Sequence, residues 1–233
     1  MPERRTALSE DDGLAVRLRG FGPVGILSMF LILLPGNIRF GSMVVLPASA
    51  LLVLAWARLS RTPWRALGFV PPKSWIAALT YGTAFGILFK ILMKMLVMPL
   101  LGADPVNHAY HFLVGNKAML PAAAWGMLAA GFAEETVFRG YLFERGAKLL
   151  GSRAAAKSAT VLLTSALFGA AHYTDQGLMG VEQGAITGLV FGAIFASTGR
   201  IFFLMFAHAA FDLTALAIIY WDVESTVAHF IFR

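Results

Sequence analysis

The 233-residue sequence predicts an all-α fold, a polytopic transmembrane bundle of about seven or eight membrane helices. Three observations predict it. Hydrophobic residues make up 58% of the chain, and the mean hydropathy is +0.71. Charged residues make up only 14%, against roughly 25% in an average soluble domain. Long apolar stretches alternate with short connections, and Lys and Arg are concentrated in every second connection. No polar stretch is long enough to hide a soluble domain.

Residues 1–20 are a polar N-terminal segment carrying Arg4, Arg5, Arg17 and Arg19. A transmembrane domain over 21–221 follows. Its hydrophobic spans are expected at about 21–36, 40–57, 75–100, 119–143, 157–172, 181–198 and 201–221. The first span stops at Pro35-Gly36 and is therefore expected to be incomplete or tilted. The 144–157 link reads as a loop with some helix. Residues 222–233 form a short tail. No cleavable leader is expected: Ala48-Ser49-Ala50 resembles a cleavage site, but Leu51-Leu-Val-Leu continues the apolar run.

Basic residues orient the bundle. Arg58, Arg61, Arg65 and Lys73 lie between spans two and three; Arg145, Lys148, Arg153 and Lys157 lie between spans four and five; Arg200 separates spans six and seven. The intervening 101–118 holds only Lys117, and 173–180 holds neither Lys nor Arg. This positive-inside pattern puts the N-terminus in the cytoplasm and the tail, with Asp222 and Glu224, outside. It also accounts for the net charge of +6 without nucleic acid. Lys90 and Lys94 are the exception, one turn apart inside span three. They are expected to snorkel or to line a polar cavity. In span six Gly180, Gly184, Gly188 and Gly192 make a smooth ridge for a close helix neighbour, echoed by Gly82 and Gly86 in span three. The absence of cysteine excludes disulfides, a cysteine nucleophile and thiolate metal sites.

Three spans place ionisable groups where lipid disfavours them. A charge at the bilayer centre costs about 2.5–3.5 kcal/mol on insertion scales, so such a group is a functional-site candidate. Span four carries Glu134, Glu135 and Arg139. Span five ends at Phe168-Gly-Ala-Ala-His172. Span seven carries His208-Ala-Ala-Phe-Asp212. Glu135 and Arg139 stand i,i+4 with the acid N-terminal, the better orientation for an ion pair. Glu134 is turned about 100° away and has no basic residue one turn off. Glu135 is therefore expected to be neutralised within its own helix, leaving Glu134 free to act as a general base. His208 and Asp212 share a face, and the pair is suited to fix an imidazole tautomer. At about 1.5 Å per helical residue, His172 lies roughly 22 Å, Glu134 roughly 15–20 Å and His208 roughly 12 Å from the basic ends, depths compatible with one cavity.

These motifs, Glu134-Glu135-Thr-Val-Phe-Arg139, then Phe168-x-x-x-His172, then His208-x-x-x-Asp212, resemble those of the CPBP family, the CAAX-protease and bacteriocin-processing or Abi group of intramembrane glutamic endopeptidases. The resemblance covers about residues 119–221. Leu67-Gly-Phe-Val-Pro-Pro-Lys-Ser-Trp75 resembles a lead-in of bacterial members, which implies a bacterial cytoplasmic membrane. The resemblance implies a peptidase that uses no cofactor or metal and acts on a membrane-associated protein or peptide. It implies that Glu134 activates water with help from His172. Glu135 and Arg139 would support the site, and His208 with residue 212 would stabilise the oxyanion. Asparagine stands at the latter position in the CAAX-cleaving branch. Aspartate donates to an oxyanion only when protonated; here it would instead bond His208 and keep that ring donating, which argues against a strict CAAX substrate.

Two other readings stay open on the residues alone. Two Glu and two His are the donor types of a zinc peptidase, although no His-Glu-x-x-His is present. A non-enzymatic immunity or scaffold protein, or a proton-coupled transporter, would also keep carboxylates in the bilayer.

Overall fold

A computed structural model describes residues 10–34 and 42–232. Arg4, Arg5 and the Pro35-Gly36 break lie outside the described residues. Among those described the chain is wholly helical: α1 (Glu10–Arg19), α2 (Pro23–Leu33), α3 (Ser42–Leu59), α4 (Trp75–Leu92), α5 (Met98–Leu100), α6 (Leu120–Glu135), α7 (Leu142–Leu150), α8 (Ala154–Ala171), α9 (Tyr173–Thr198), α10 (Phe202–Tyr220) and α11 (Glu224–Ala228). π-helical turns join α4 to α5 (Met93–Val97) and α6 to α7 (Thr136–Tyr141).

Local chemistry sets several boundaries. Pro23 opens α2, where its missing N–H costs nothing. The Ser74 hydroxyl caps α4 by accepting from the Ala77 N–H at 3.2 Å. Gly199, at φ +62°, ends α9 in the left-handed conformation that glycine tolerates.

Among the described residues four helices are long and apolar enough to cross a membrane: Trp75–Leu100, α8, α9 and α10. Gly13–Arg19 and Pro23–Leu33 make a fifth if that pair, bent by 61°, is one span. The chain is an integral membrane protein. Seven or eight were expected; the described residues give four or five. The 119–143 run divides where the α6 ladder widens into the π-turn. Over the part of α3 whose side chains are described, Pro47–Leu59 is apolar helix. The 173–180 connection is itself helical, part of α9, interrupted only at Gly177 (φ 61°, ψ −153°). The tail is also structured: Glu224 in α11 is buried and pairs with Lys94 at 2.8 Å.

The bundle is built around α10, which packs on α4 and α6. Half of its membrane window is buried inside the protein, against 22% for Trp75–Leu100, so α10 is the interior helix and α4 a peripheral one. Phe89, Phe191, Phe195, Leu204, Met205 and Phe211 form the main core between α4, α9 and α10. Ile32, Val53, Trp56, Val137 and Tyr141 form a second core between α2, α3 and the π-turn. Phe30, Leu88, Trp125, Leu162 and Leu163 face outward, as suits a chain whose solvent is lipid.

Glycine sets the helix spacings. A Cβ on Gly86 would lie 2.0 Å from the Ala207 carbonyl oxygen, so α4 rests directly on the α10 backbone. Along α9 a Cβ on Gly188 would lie 2.8 Å from the Ser165 Cα, and one on Gly184 would lie 3.1 Å from the Gly169 Cα. The expected glycine ridge is thus the α8–α9 contact.

Candidate active site

The three motif helices converge. Gly131 lies one turn before the glutamates, and a Cβ there would stand 2.6 Å from the Ala209 backbone nitrogen. That close approach of α6 to α10 sets Glu134 and Glu135 beside His208. The π-turn then carries Arg139 back over Glu135. π-turns inside helices recur at functional sites, because they re-aim side chains without breaking the helix.

Glu135 is fully buried and is the hub. Its Oε1 accepts from Arg139 Nη1 at 2.8 Å and from His208 Nδ1–H at 2.8 Å. Arg139, also buried, lies with its guanidinium 4.7 Å from the Phe168 ring centre and 5.4 Å from that of Phe191. The same two rings border the His208 imidazole at 5.8 and 5.5 Å. The pair is therefore enclosed by apolar and aromatic walls. Buried pairs are held by such hydrogen bonds rather than by a large net Coulomb gain.

With Nδ1 committed to Glu135, His208 turns Nε2 to the other acids. Glu134 Oε2 lies 3.5 Å from it and Asp212 Oδ2 lies 3.6 Å from it. The Glu134 and Asp212 side chains keep 12% and 20% exposure, against none for Glu135. The expected division of the glutamates is present in the geometry: one is locked in a pair, and the other is partly open. The tautomer partner of His208 differs from expectation. It is Glu135, across the helix interface, and not Asp212 on the same helix.

His172 caps α8 where α9 begins. Its Nδ1 lies 2.7 Å from the Phe168 carbonyl oxygen. A carbonyl only accepts, so Nδ1 carries the hydrogen, and the neutral ring has its lone pair at Nε2. The ring packs against Phe168 at 4.8 Å and lies within electrostatic reach of Asp212. Among the described residues no direct hydrogen bond joins it to Glu134.

Other residues surround the site without forming a legible motif. Phe191 comes from α9. Lys90 Nζ donates to Gln183 Oε1 at 2.9 Å, sits 4.7 Å over the Phe211 ring and acts electrostatically on Asp212. Tyr110, in the 101–118 connection, feels the charges of Asp175, Asp212 and Glu134; burial, foremost, and those charges push its phenol up to about 12. Its aromatic residue type was the only signal in sequence. His108, in the same connection, stays exposed and pairs with Asp104 at 3.1 Å. The Val106 N–H, foremost, and then His108 hold the Asp104 carboxyl below its ordinary range. Among the described residues no group of three or more His, Asp or Glu side chains is disposed to hold a metal ion.

A partly exposed carboxylate, Glu134, beside the His208 imidazole, with the His172 ring close to the same aromatic wall, is a set of groups of the kind that can activate water. Residues 116–214 match the family model of type II CAAX prenyl endopeptidase Rce1-like proteins, the family that the three motifs resemble. The match includes all six motif residues. No curated protein and no solved structure matches the chain.

Proposed function

On the premise that residues 116–214 are those of the Rce1-like CAAX endopeptidase family, we propose that the chain is an intramembrane peptidase. It hydrolyses a peptide bond of a membrane-associated protein or peptide with water activated by Glu134. The observation that carries this reading is the partition around His208. One face of the ring is tied to the buried Glu135–Arg139 pair, and the other is turned to the partly open Glu134 and Asp212.

In this reading Glu134 takes a proton from water, and the resulting hydroxide adds to the scissile carbonyl carbon. The His172 Nε2 lone pair accepts a hydrogen bond from the same water and orients it. His208 acts as the imidazolium, with a hydrogen on each nitrogen: Nδ1–H is held by Glu135 behind it, and Nε2–H, on the side of Asp212, donates to the oxyanion. Glu134 returns its proton to the leaving nitrogen as the C–N bond breaks, giving a carboxylate and an amine. Positioned base catalysis of this kind is worth about 10²–10⁴-fold, and an oxyanion donor contributes a comparable factor.

Seven membrane passes, with α1 and α2 as one broken span, and a cytoplasmic N-terminus accord with the alternating basic connections. The resemblance of the Leu67–Trp75 lead-in supports a bacterial cytoplasmic membrane. The test is a comparison of membrane-fraction proteomes from cells carrying the native chain, Glu134→Gln and His172→Ala. Full-length substrate should accumulate in both variants while their membrane insertion stays normal. Undiminished cleavage in Glu134→Gln overturns the reading.

A further inference from the structure

The charged groups of the site do not balance among themselves. Glu134, Glu135 and Asp212 meet around His208, and Arg139 beside them supplies a permanent cation. With His208 as the imidazolium, three carboxylates face two cations. His172 adds none, since its neutral ring commits its one hydrogen to the Phe168 carbonyl. A net charge is disfavoured in an apolar surround, so either a carboxylate takes up a proton or another cation lies close by.

Lys90 is that cation by position. α4 and α10 run side by side in the same direction, and their contacts climb in step. A Cβ on Gly82 would lie 2.8 Å from the Phe203 carbonyl oxygen, and one on Gly86 would lie 2.0 Å from that of Ala207. One turn further on, Lys90 meets the turn of α10 that carries Asp212, with its Nζ 4.7 Å from the Phe211 ring centre. The lysine is only 7% exposed. Its direction is fixed by the Gln183 amide oxygen, which accepts from Nζ at 2.9 Å. Gln183 adjoins Gly184, where a Cβ would lie 3.1 Å from His172 Nδ1.

Lys94 does not take this part. It donates to Glu224 Oε1 at 2.8 Å and to the Pro105 carbonyl at 2.6 Å, and its charge is cancelled there. Among the described residues no carboxylate lies within ion-pair distance of the Lys90 ammonium. The charged groups that act on Lys90 are Lys94 on its own helix, Glu224 of α11 and Asp212 of α10. Those that act on Asp212 are His208 on its own helix, Glu134 of α6, Lys90 of α4 and His172 at the end of α8, and Tyr110 of the 101–118 connection faces it as well. His208 is already tied to Glu135. Lys90 is the cation of this set without a carboxylate of its own.

We propose that Lys90 is a positioning residue of the site: it keeps Asp212 ionised, and Asp212 in turn keeps the hydrogen on His208 Nε2. In a low-dielectric interior a charge acts across several ångströms without contact. The same cation offsets the repulsion that an ionised Asp212 exerts on an oxyanion. The site then stays neutral as the proton passes from water to Glu134, because that step removes one anion as it forms another. The effect on the oxyanion rests on the peptidase reading; the ionisation of Asp212 does not.

The test reads protonation directly and needs no substrate. The full chain is prepared in detergent micelles with aspartate isotope-labelled at its carboxyl carbon. The Asp212 signal is identified by its loss in Asp212→Asn and followed by NMR at neutral pH. It should stand at the ionised position in the native chain and in Lys90→Arg, and at the protonated position in Lys90→Met. A protonated Asp212 in the native chain, which needs no variant to fold, overturns the proposal. So does an ionised Asp212 in Lys90→Met. In a second arm, cleavage of the protein that accumulates in Glu134→Gln membranes should slow about tenfold or more in Lys90→Met, part of what an oxyanion donor contributes, and recover in Lys90→Arg. A failed peptidase reading shows separately, as absence of cleavage by the native chain with the Asp212 signals as expected.

Discussion

Glu134 and Glu135 are adjacent in sequence and opposite in situation. Glu135 has no exposed surface and holds two donors on one oxygen; Glu134 keeps an edge open and lies 3.5 Å from the far nitrogen of His208. Their variants should therefore separate stability from chemistry. Glu135→Gln leaves the Arg139 guanidinium buried without its counter-charge, and breaking a buried pair in this way costs about 3–5 kcal/mol. Thermal unfolding in detergent should fall markedly for Glu135→Gln and stay near the native value for Glu134→Gln, which loses only turnover. The i,i+4 spacing made the Glu135–Arg139 pair legible in the sequence. The bond from His208 to Glu135 was not legible, because it joins residues 73 apart through a contact between two helices.

At the scale of helices, position is fixed by missing side chains. The ridge of glycines in α9 was readable as a close contact, but its partner was not. Only the fold shows that it seats α8, and so the turn bearing His172. Gly131 carried no such pattern, yet it sets the distance between the glutamates and His208. Gly131→Ala places a methyl group 2.6 Å from the Ala209 nitrogen, and α6 must retreat. Overpacking of this kind costs roughly 1–3 kcal/mol. The variant should insert normally but turn over at least tenfold more slowly, because small misplacements of catalytic groups reduce rates steeply. A membrane-fraction assay with quantified protein checks this. The π-turn at Thr136–Tyr141 was hidden for a different reason: an added residue in a helical turn leaves the apolar pattern almost unchanged, so 119–143 reads as one smooth span.

Across the whole molecule, hydropathy and charge alternation disclosed an all-helical membrane protein. They could not disclose that the polar tail returns to pair Glu224 with Lys94 or that 173–180 is helical, since both depend on tertiary contacts. The imidazoles of the site are each engaged through Nδ1, one with Glu135 and one with the Phe168 carbonyl. On the proposed reading no step uses a metal, so activity should survive extended dialysis against a strong chelator, and a loss restored by added zinc would contradict this. The pairing within α6 also bears on biosynthesis. The translocon receives α6 about 70 residues before it receives His208, so that helix must partition into lipid without its eventual neighbour. Arg139 is already present to accompany Glu135 through that step. The ion clasp serves the nascent chain first, and the arrival of α10 then seats the His208 ring on it.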